Sequence, residues 1–248
     1  MQGGKIATQV LKQHLPNYNV FDEKRYYHAG TPQGPVSVGP LRIGVPICED
    51  GWFEDVSETL AESGAEILLV PNGSPYHRGK MNIRQAVTVA RVIETGLPLV
   101  YLNLTGGQDD QLFDGASFVL NPGGVLTHQM PSFDETLTHV DFTRTAEGWR
   151  AVEGDKAVLP DIRESDYRAM VESVRDYLGK TGFSRALLGL SGGIDSAIVA
   201  TIAADALGPE NVHCVMMPSE YTSQESLDDA EAVAKNLGCR LDTVPISG

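Results

Sequence analysis

The chain has 248 residues, with 19 Lys plus Arg against 33 Asp plus Glu, a formal net charge of −14 and 42% hydrophobic residues. That balance excludes an intrinsically disordered chain and leaves room for one large domain or two smaller ones. The negative charge opposes non-specific binding to nucleic acid or anionic membranes, so any polyanionic ligand has to be held by local groups.

In chain order, Leu41 to Ile47, Phe53 to Ser63, Ile67 to Val70, Met81 to Thr95 and Pro98 to Leu104 alternate apolar runs with amphipathic stretches and predict strand, helix, strand, helix, strand. In the longer helix Ile83, Ala86, Val87, Ala90 and Ile93 share one face, which is expected to be the buried one, and Gly96 with Pro98 ends the helix. Ser117 to Leu120 and Val125 to His128 flank the turn sequence Asn121-Pro122-Gly123-Gly124 and predict a hairpin; a strand near Leu137 to Phe142 is expected to close this unit. Thr143 to Arg163 lacks periodicity and contains Pro160, which places the domain connection there.

A second unit follows. Tyr167, Met170, Val171, Val174, Tyr177 and Leu178 form a helical stripe, and the buried strand Arg185 to Leu190 runs into Ser191-Gly192-Gly193-Ile194-Asp195-Ser196. A helix from Ser196 to Leu207, a strand Val212 to Met217, a helix Ser223 to Leu237 and a strand Arg240 to Pro245 complete an α/β pattern that builds a parallel sheet. Thr222 or Ser223 is placed to cap the second of these helices. No apolar run approaches the ~18 residues of a membrane span, and Met1 to Leu15 lacks the apolar core of a signal peptide. The expected compartment is the cytoplasm, with Cys48, Cys214 and Cys239 as thiols rather than disulfides.

The turn at Ser191 joins a strand to a helix through two glycines, which brings backbone N–H groups and a helix N-terminus to one point and suits phosphate. It is neither a Walker loop nor GxGxxG, and as a plain β-α turn it would need only a cap. Gly189-Leu190-Ser191-Gly192-Gly193-Ile194-Asp195-Ser196 resembles the pyrophosphate loop of the ATP pyrophosphatases. The resemblance implies ATP on residues Gly189, Leu190, Ser191, Gly192, Gly193, Ile194, Asp195 and Ser196, with Asp195 acting through Mg²⁺, which bridges carboxylate and phosphate oxygens. Met217-Pro218-Ser219-Glu220-Tyr221-Thr222-Ser223 is similar to a segment of NAD⁺ synthetases that lies near the ATP.

In the first unit Cys48 ends an apolar run and precedes Glu49-Asp50-Gly51-Trp52. By itself it reads equally as a small core residue. Lys12-Gln13-His14-Leu15-Pro16-Asn17-Tyr18, Phe21-Asp22-Glu23 and Val45-Pro46-Ile47-Cys48-Glu49-Asp50 resemble the carbon–nitrogen hydrolase (nitrilase) superfamily, in its glutaminase branch fused to NAD⁺ synthetases, from about Gly4 to Phe142. The resemblance implies Cys48 as nucleophile towards an amide carbonyl, Lys12 as an oxyanion-stabilising ammonium, Glu23 as a supporting acid, and the Glu49 backbone N–H as a second oxyanion donor. It also implies that Tyr18, Ser74 and Lys80 hold glutamine, although Tyr18 could pack in a core and Ser74 could belong to a turn. Asn103 to Asp109 with Phe113-Asp114-Gly115 is similar to this branch as well.

The implied fold is α/β: the C-terminal part of an α-β-β-α nitrilase-type sandwich over residues 1–150, a linker over 151–163, and the start of a Rossmann-like parallel-sheet ATP-pyrophosphatase domain over 164–248. The family's catalytic glutamate lies upstream of the lysine motif, and the eleven residues before Lys12 include no acid. The chain therefore reads as a window on a longer enzyme and is expected to release little ammonia by itself. The implied small molecules are L-glutamine, ATP with Mg²⁺ and deamido-NAD⁺, and the family implies a homo-oligomer at full length. A non-catalytic ATP-binding remnant and another adenylating amidotransferase are the alternatives.

Overall fold

The computed structural model describes residues 3–246. It divides into two compact units, the first comprising the chain up to Thr105 with Phe113–Pro160, the second Gly106–Leu112 with the chain from Asp161 onward.

In the first unit a short helix α1 (Glu23–Tyr26) is followed by β1 (Val36–Val38), β2 (Leu41–Gly44), a 3₁₀ turn at Cys48–Trp52, α2 (Glu54–Glu62), β3 (Ile67–Asn72), α3 (Lys80–Thr95) and β4 (Leu99–Asn103). A hairpin of β5 (Thr105–Gln108) and β6 (Gln111–Asp114) comes next, then β7 (Phe118–Asn121), β8 (Val125–Gln129), β9 (Phe142–Thr145) and β10 (Gly148–Ala151). Six strands form one sheet in the order β1-β2-β3-β4-β7-β8, parallel from β2 to β4 and antiparallel elsewhere. Alternate residues of three neighbouring strands, Leu68 and Val70, Leu99 and Tyr101, Phe118 and Leu120, meet Val56, Leu60 and Val92 of the two helices in one core. This is the period-two face of a half-covered sheet.

The expected buried face of α3 is not the one observed. Arg84, Thr88, Arg91 and Val92 are buried, whereas Ile83 and Ile93 are exposed. Reading apolar periodicity alone misplaces the face because the helix turns an ion-paired arginine inward. The expected closing strand near Leu137 to Phe142 is also corrected: residues 137–141 form no strand, and Phe142–Thr145 pairs with Gly148–Ala151 inside the segment read as a connection. The edge of β8 is already occupied, since the Gln129 N–H donates to Asp155 O at 3.0 Å and Gln129 O accepts from Ala157 N at 2.9 Å. Gly154 makes that approach possible, because a Cβ there would lie 2.0 Å from His128 Nε2.

The second unit contains α4 (Ile162–Thr181), β11 (Ala186–Gly189), α5 (Ile194–Leu207), β12 (Val212–Met216), α6 (Gln224–Leu237) and β13 (Arg240–Thr243), with a parallel sheet in the order β11-β12-β13. Asp161 caps α4 by accepting from the Arg163 and Glu164 N–H groups at 2.8 and 2.9 Å. Ser223 caps α6 through the Ser226 N–H at 3.2 Å. Leu190, Ala200, Ala203, Val212, Cys214, Met216, Ala230 and Ala234 make the core between this sheet, α5 and α6. In the tip Gly106–Leu112, which belongs to this unit, the Gly107 N–H donates to Asp176 Oδ2 at 2.6 Å. Among the described residues no helix is long and apolar enough to cross a membrane.

Candidate functional site

Cys48 opens the 3₁₀ turn that follows β2 with a φ of +52°, a left-handed conformation that costs a non-glycine residue and concentrates at functional sites. The turn is held from behind by Asp50, which is 1% exposed. Asp50 Oδ1 accepts from the Gln13 and His14 N–H groups at 3.0 and 2.7 Å, and Oδ2 accepts from the Ile47 N–H at 3.0 Å. One carboxylate therefore ties the Lys12 segment to the Cys48 turn.

Lys12 Nζ donates to both oxygens of Glu23, at 2.6 and 2.7 Å. The Tyr18 hydroxyl donates to both Glu49 oxygens, at 2.8 and 2.9 Å. Burial, with Glu49 adding to it, pushes the Tyr18 hydroxyl up to about 12. Burial also pushes the Cys48 thiol above its ordinary value; the Gly73 N–H on the sulfur and the Lys12 charge pull it down, and Glu49 and Glu23 push it up. The Gly73 N–H, the Lys12 ammonium and both acids thus act on one sulfur. Tyr18 and Glu49 line a cleft of about 600 Å³ together with His14, Asn17, His28 and Phe53.

Of the residues expected to hold glutamine, Tyr18 is half exposed on that cleft and Ser74 is buried in the segment after β3, one residue beyond Gly73. Lys80 begins α3, and its ammonium lies 4.3 Å from the centre of the Trp52 ring. Burial, with the Arg84 charge beside it, lowers the Lys80 pKa. The geometry adds Gly73 and Arg84, which sequence reasoning did not single out, and gives contacts to Asp50, Trp52 and Asp114, which it quoted only within motifs. Buried Asp and Arg were the available signal, since such residues are seldom buried without a partner, but burial is not written in the sequence.

The second unit carries the glycine-rich loop between β11 and α5. Leu190 is buried, and the following Ser191 is exposed. Ser196 Oγ accepts from the Ser191 N–H at 3.1 Å and lies 3.0 Å from Ser191 Oγ, which accepts from the Gly193 N–H at 3.2 Å. Gly192 passes against α6, where a Cβ would meet Ser226 Cα at 2.5 Å and Ser226 O at 2.7 Å. Asp195 is exposed in the first turn of α5. Small hydroxyls, a glycine at 192 whose place admits no Cβ and a carboxylate at a helix N-terminus suit a metal-bound polyphosphate. Among the described residues no cluster of three or more His, Cys, Asp or Glu could hold a metal. A cation at Asp195 would take its remaining ligands from phosphate and water.

Residues 2–151 match the carbon-nitrogen hydrolase family, and residues 166–248 match the NAD synthase family. The whole chain is 60% identical to a glutamine-dependent NAD(+) synthetase of Rhodobacter capsulatus, of which it covers 45%. Over 99% of its length it is 41% identical to one of Xanthomonas campestris pv. campestris, again covering 45% of it. A solved glutamine-dependent NAD+ synthetase from Acinetobacter baumannii in complex with ADP is similar at a TM-score of 0.92 and 40% identity, with 100% of this chain and 47% of that one covered. The chain spans about half the length of the relatives it matches.

Proposed function

Because the chain belongs to the carbon–nitrogen hydrolase family, we propose that it is the central segment of a cytoplasmic glutamine-dependent NAD⁺ synthetase. Residues 1–150 form the glutaminase part, 151–163 a linker and 164–248 the beginning of the synthetase. The observation that carries this reading is the left-handed Cys48 turn that Asp50 ties to the Lys12 segment, with the Gly73 N–H on its sulfur, in a chain whose second part carries a glycine-rich strand-to-helix loop.

Cys48 attacks the side-chain amide carbonyl of L-glutamine, the C–N bond breaks, and ammonia leaves behind a thioester that water returns to glutamate. Lys12 stabilises the oxyanion, with the Glu49 N–H as second donor, and Glu23 holds Lys12 in place. The Glu49 carboxylate faces Tyr18 and offers an acceptor for the substrate's ammonium group. Ser74 and Lys80 complete the glutamine site. In the second unit Ser191, Gly192, Gly193 and Ser196 hold the polyphosphate of ATP on backbone N–H groups and hydroxyls, and Asp195 reaches it through Mg²⁺. ATP supplies the activation of the nicotinate carboxylate of deamido-NAD⁺, with pyrophosphate released; ammonia then displaces AMP to give the amide.

A chloroketone analogue of L-glutamine tests the first site without requiring turnover. Incubated with the 248-residue chain and read on the Cys48 peptide by mass spectrometry, it is expected to label Cys48 with saturation, and L-glutamine is expected to slow the labelling where L-asparagine does not. Labelling that glutamine leaves unchanged would overturn the reading.

A further inference from the structure

Arg84 lies on α3 with a fully buried side chain, and every contact recorded for it is internal. Its Nη1 donates to both oxygens of Asp114 at 2.8 and 3.0 Å, its Nε to Ser74 Oγ at 3.1 Å, and its Nη2 to Ser74 O at 2.6 Å and Pro75 O at 3.2 Å. Burying a guanidinium and a carboxylate costs several kcal/mol per ion, and apolar residues of similar size often fill such a place with no loss of stability. A charge pair at such a place is weak evidence for stability, and its partners point to a positioning role. Asn103, at the end of β4, takes the rest of Ser74: its Oδ1 accepts from the Ser74 N–H at 2.9 Å, and its Nδ2 donates to Ser74 O at 3.2 Å. The N–H, the carbonyl and the hydroxyl of Ser74 are all held, and the preceding residue places the Gly73 N–H on the Cys48 sulfur. Arg84 and Cys48 line the same small internal cavity with Trp52, Val70 and Tyr101.

We propose that Arg84, with Asp114 as its counter-ion, is the positioning residue that fixes the Gly73–Ser74 segment against Cys48, so that the nucleophile and the glutamine site are set by one buried fork. Arginine is required because Nε and Nη2 reach Ser74 while Nη1 holds Asp114. A lysine keeps the charge and loses the planar fork. The substrate side of the proposal rests on the glutaminase reading; the thiol side does not.

The test compares the 248-residue chain with its Arg84→Lys and Asp114→Asn variants, both read on the Cys48 peptide. Alkylation by iodoacetamide needs no glutamine site, and its pH midpoint is expected to move up by roughly half a unit to one unit in each variant, as the thiolate loses the Gly73 N–H. Labelling by the glutamine chloroketone is expected to need about ten times more reagent for half-saturation, the equivalent of one good hydrogen bond. A folded Arg84→Lys with the wild-type midpoint overturns the proposal. If Arg84→Lys loses cooperative unfolding, Asp114→Asn decides on the same criterion, because it keeps Arg84 but removes the carboxylate that aims its fork at Ser74. If the wild-type chain shows no glutamine-protected labelling, the glutaminase reading fails while the iodoacetamide midpoint still judges Arg84.

Discussion

Cys48 carries a cost that a structural cysteine avoids, a left-handed backbone at a φ of +52°. Its pKa has a clear sign. Burial disfavours the thiolate, Glu49 and Glu23 disfavour it further, and the Gly73 N–H and Lys12 offset only part of this, so the thiol sits above its ordinary value. Iodoacetamide alkylation of Cys48 is expected to reach half its limiting rate above about pH 8.5, the usual value for a free thiol. Replacing Lys12 by Met removes an attractive charge and is expected to move the midpoint higher still. A wild-type midpoint at or below the free-thiol value would contradict this balance of burial against local charge.

Among the secondary-structure elements, the loop of the second unit depends on how closely β11–α5 approaches α6. A Cβ on Gly192 would lie 2.5 Å from a backbone carbon of Ser226, and backbone cannot swing aside as a side chain can. Gly192→Ala is expected to lower the stability of this unit by about 1–3 kcal/mol, the usual cost of overpacking, visible as a lower urea midpoint of the transition that includes β11, β12 and β13. A midpoint equal to that of the wild-type chain would show that α6 can retreat at no cost. Elements of this kind were legible in the sequence where local rules decide. The β11–α5–β12–α6–β13 order followed from its alternating apolar runs, and Ser223 was one of two residues placed as a cap and is the one that caps. What was not legible depended on partners distant in the chain. The buried face of α3 is set by Asp114 and Ser74, thirty and ten residues away from Arg84, and a pattern that counts only apolar residues cannot include it. The expected strand at residues 137–141 loses its place because residues 154–157 occupy the β8 edge first. Cys48, Lys12 and Glu23 were proposed through the motif. The φ of Cys48 and the Gly73 N–H on its sulfur come from the turn after β2 and the end of β3, which no local spacing reveals.

At the scale of the whole molecule, a net charge of −14 makes nucleotide binding a problem of local against global electrostatics. The summed field repels a polyphosphate at distances where screening is incomplete, so the loop, under the proposed function, would have to offset it at close range with N–H dipoles, hydroxyls and a metal ion. Asp195 adds a negative charge at the very point where phosphate would bind, which makes sense only if a cation stands between them. The two roles proposed for that carboxylate, ligand to a metal and repeller of bare phosphate, give opposite signs on substitution. Asp195→Asn is expected to weaken binding of ATP with Mg²⁺ by about ten-fold, the equivalent of roughly 1.4 kcal/mol. Binding of ATP in excess EDTA is expected to stay level or to tighten, because a repelling charge is gone. Titration calorimetry on wild type and variant, with and without Mg²⁺, separates the two terms. An equal weakening under both conditions would mean that Asp195 serves the fold of the loop rather than the metal, and that the N–H groups and hydroxyls of Ser191 to Ser196 hold the phosphates without it.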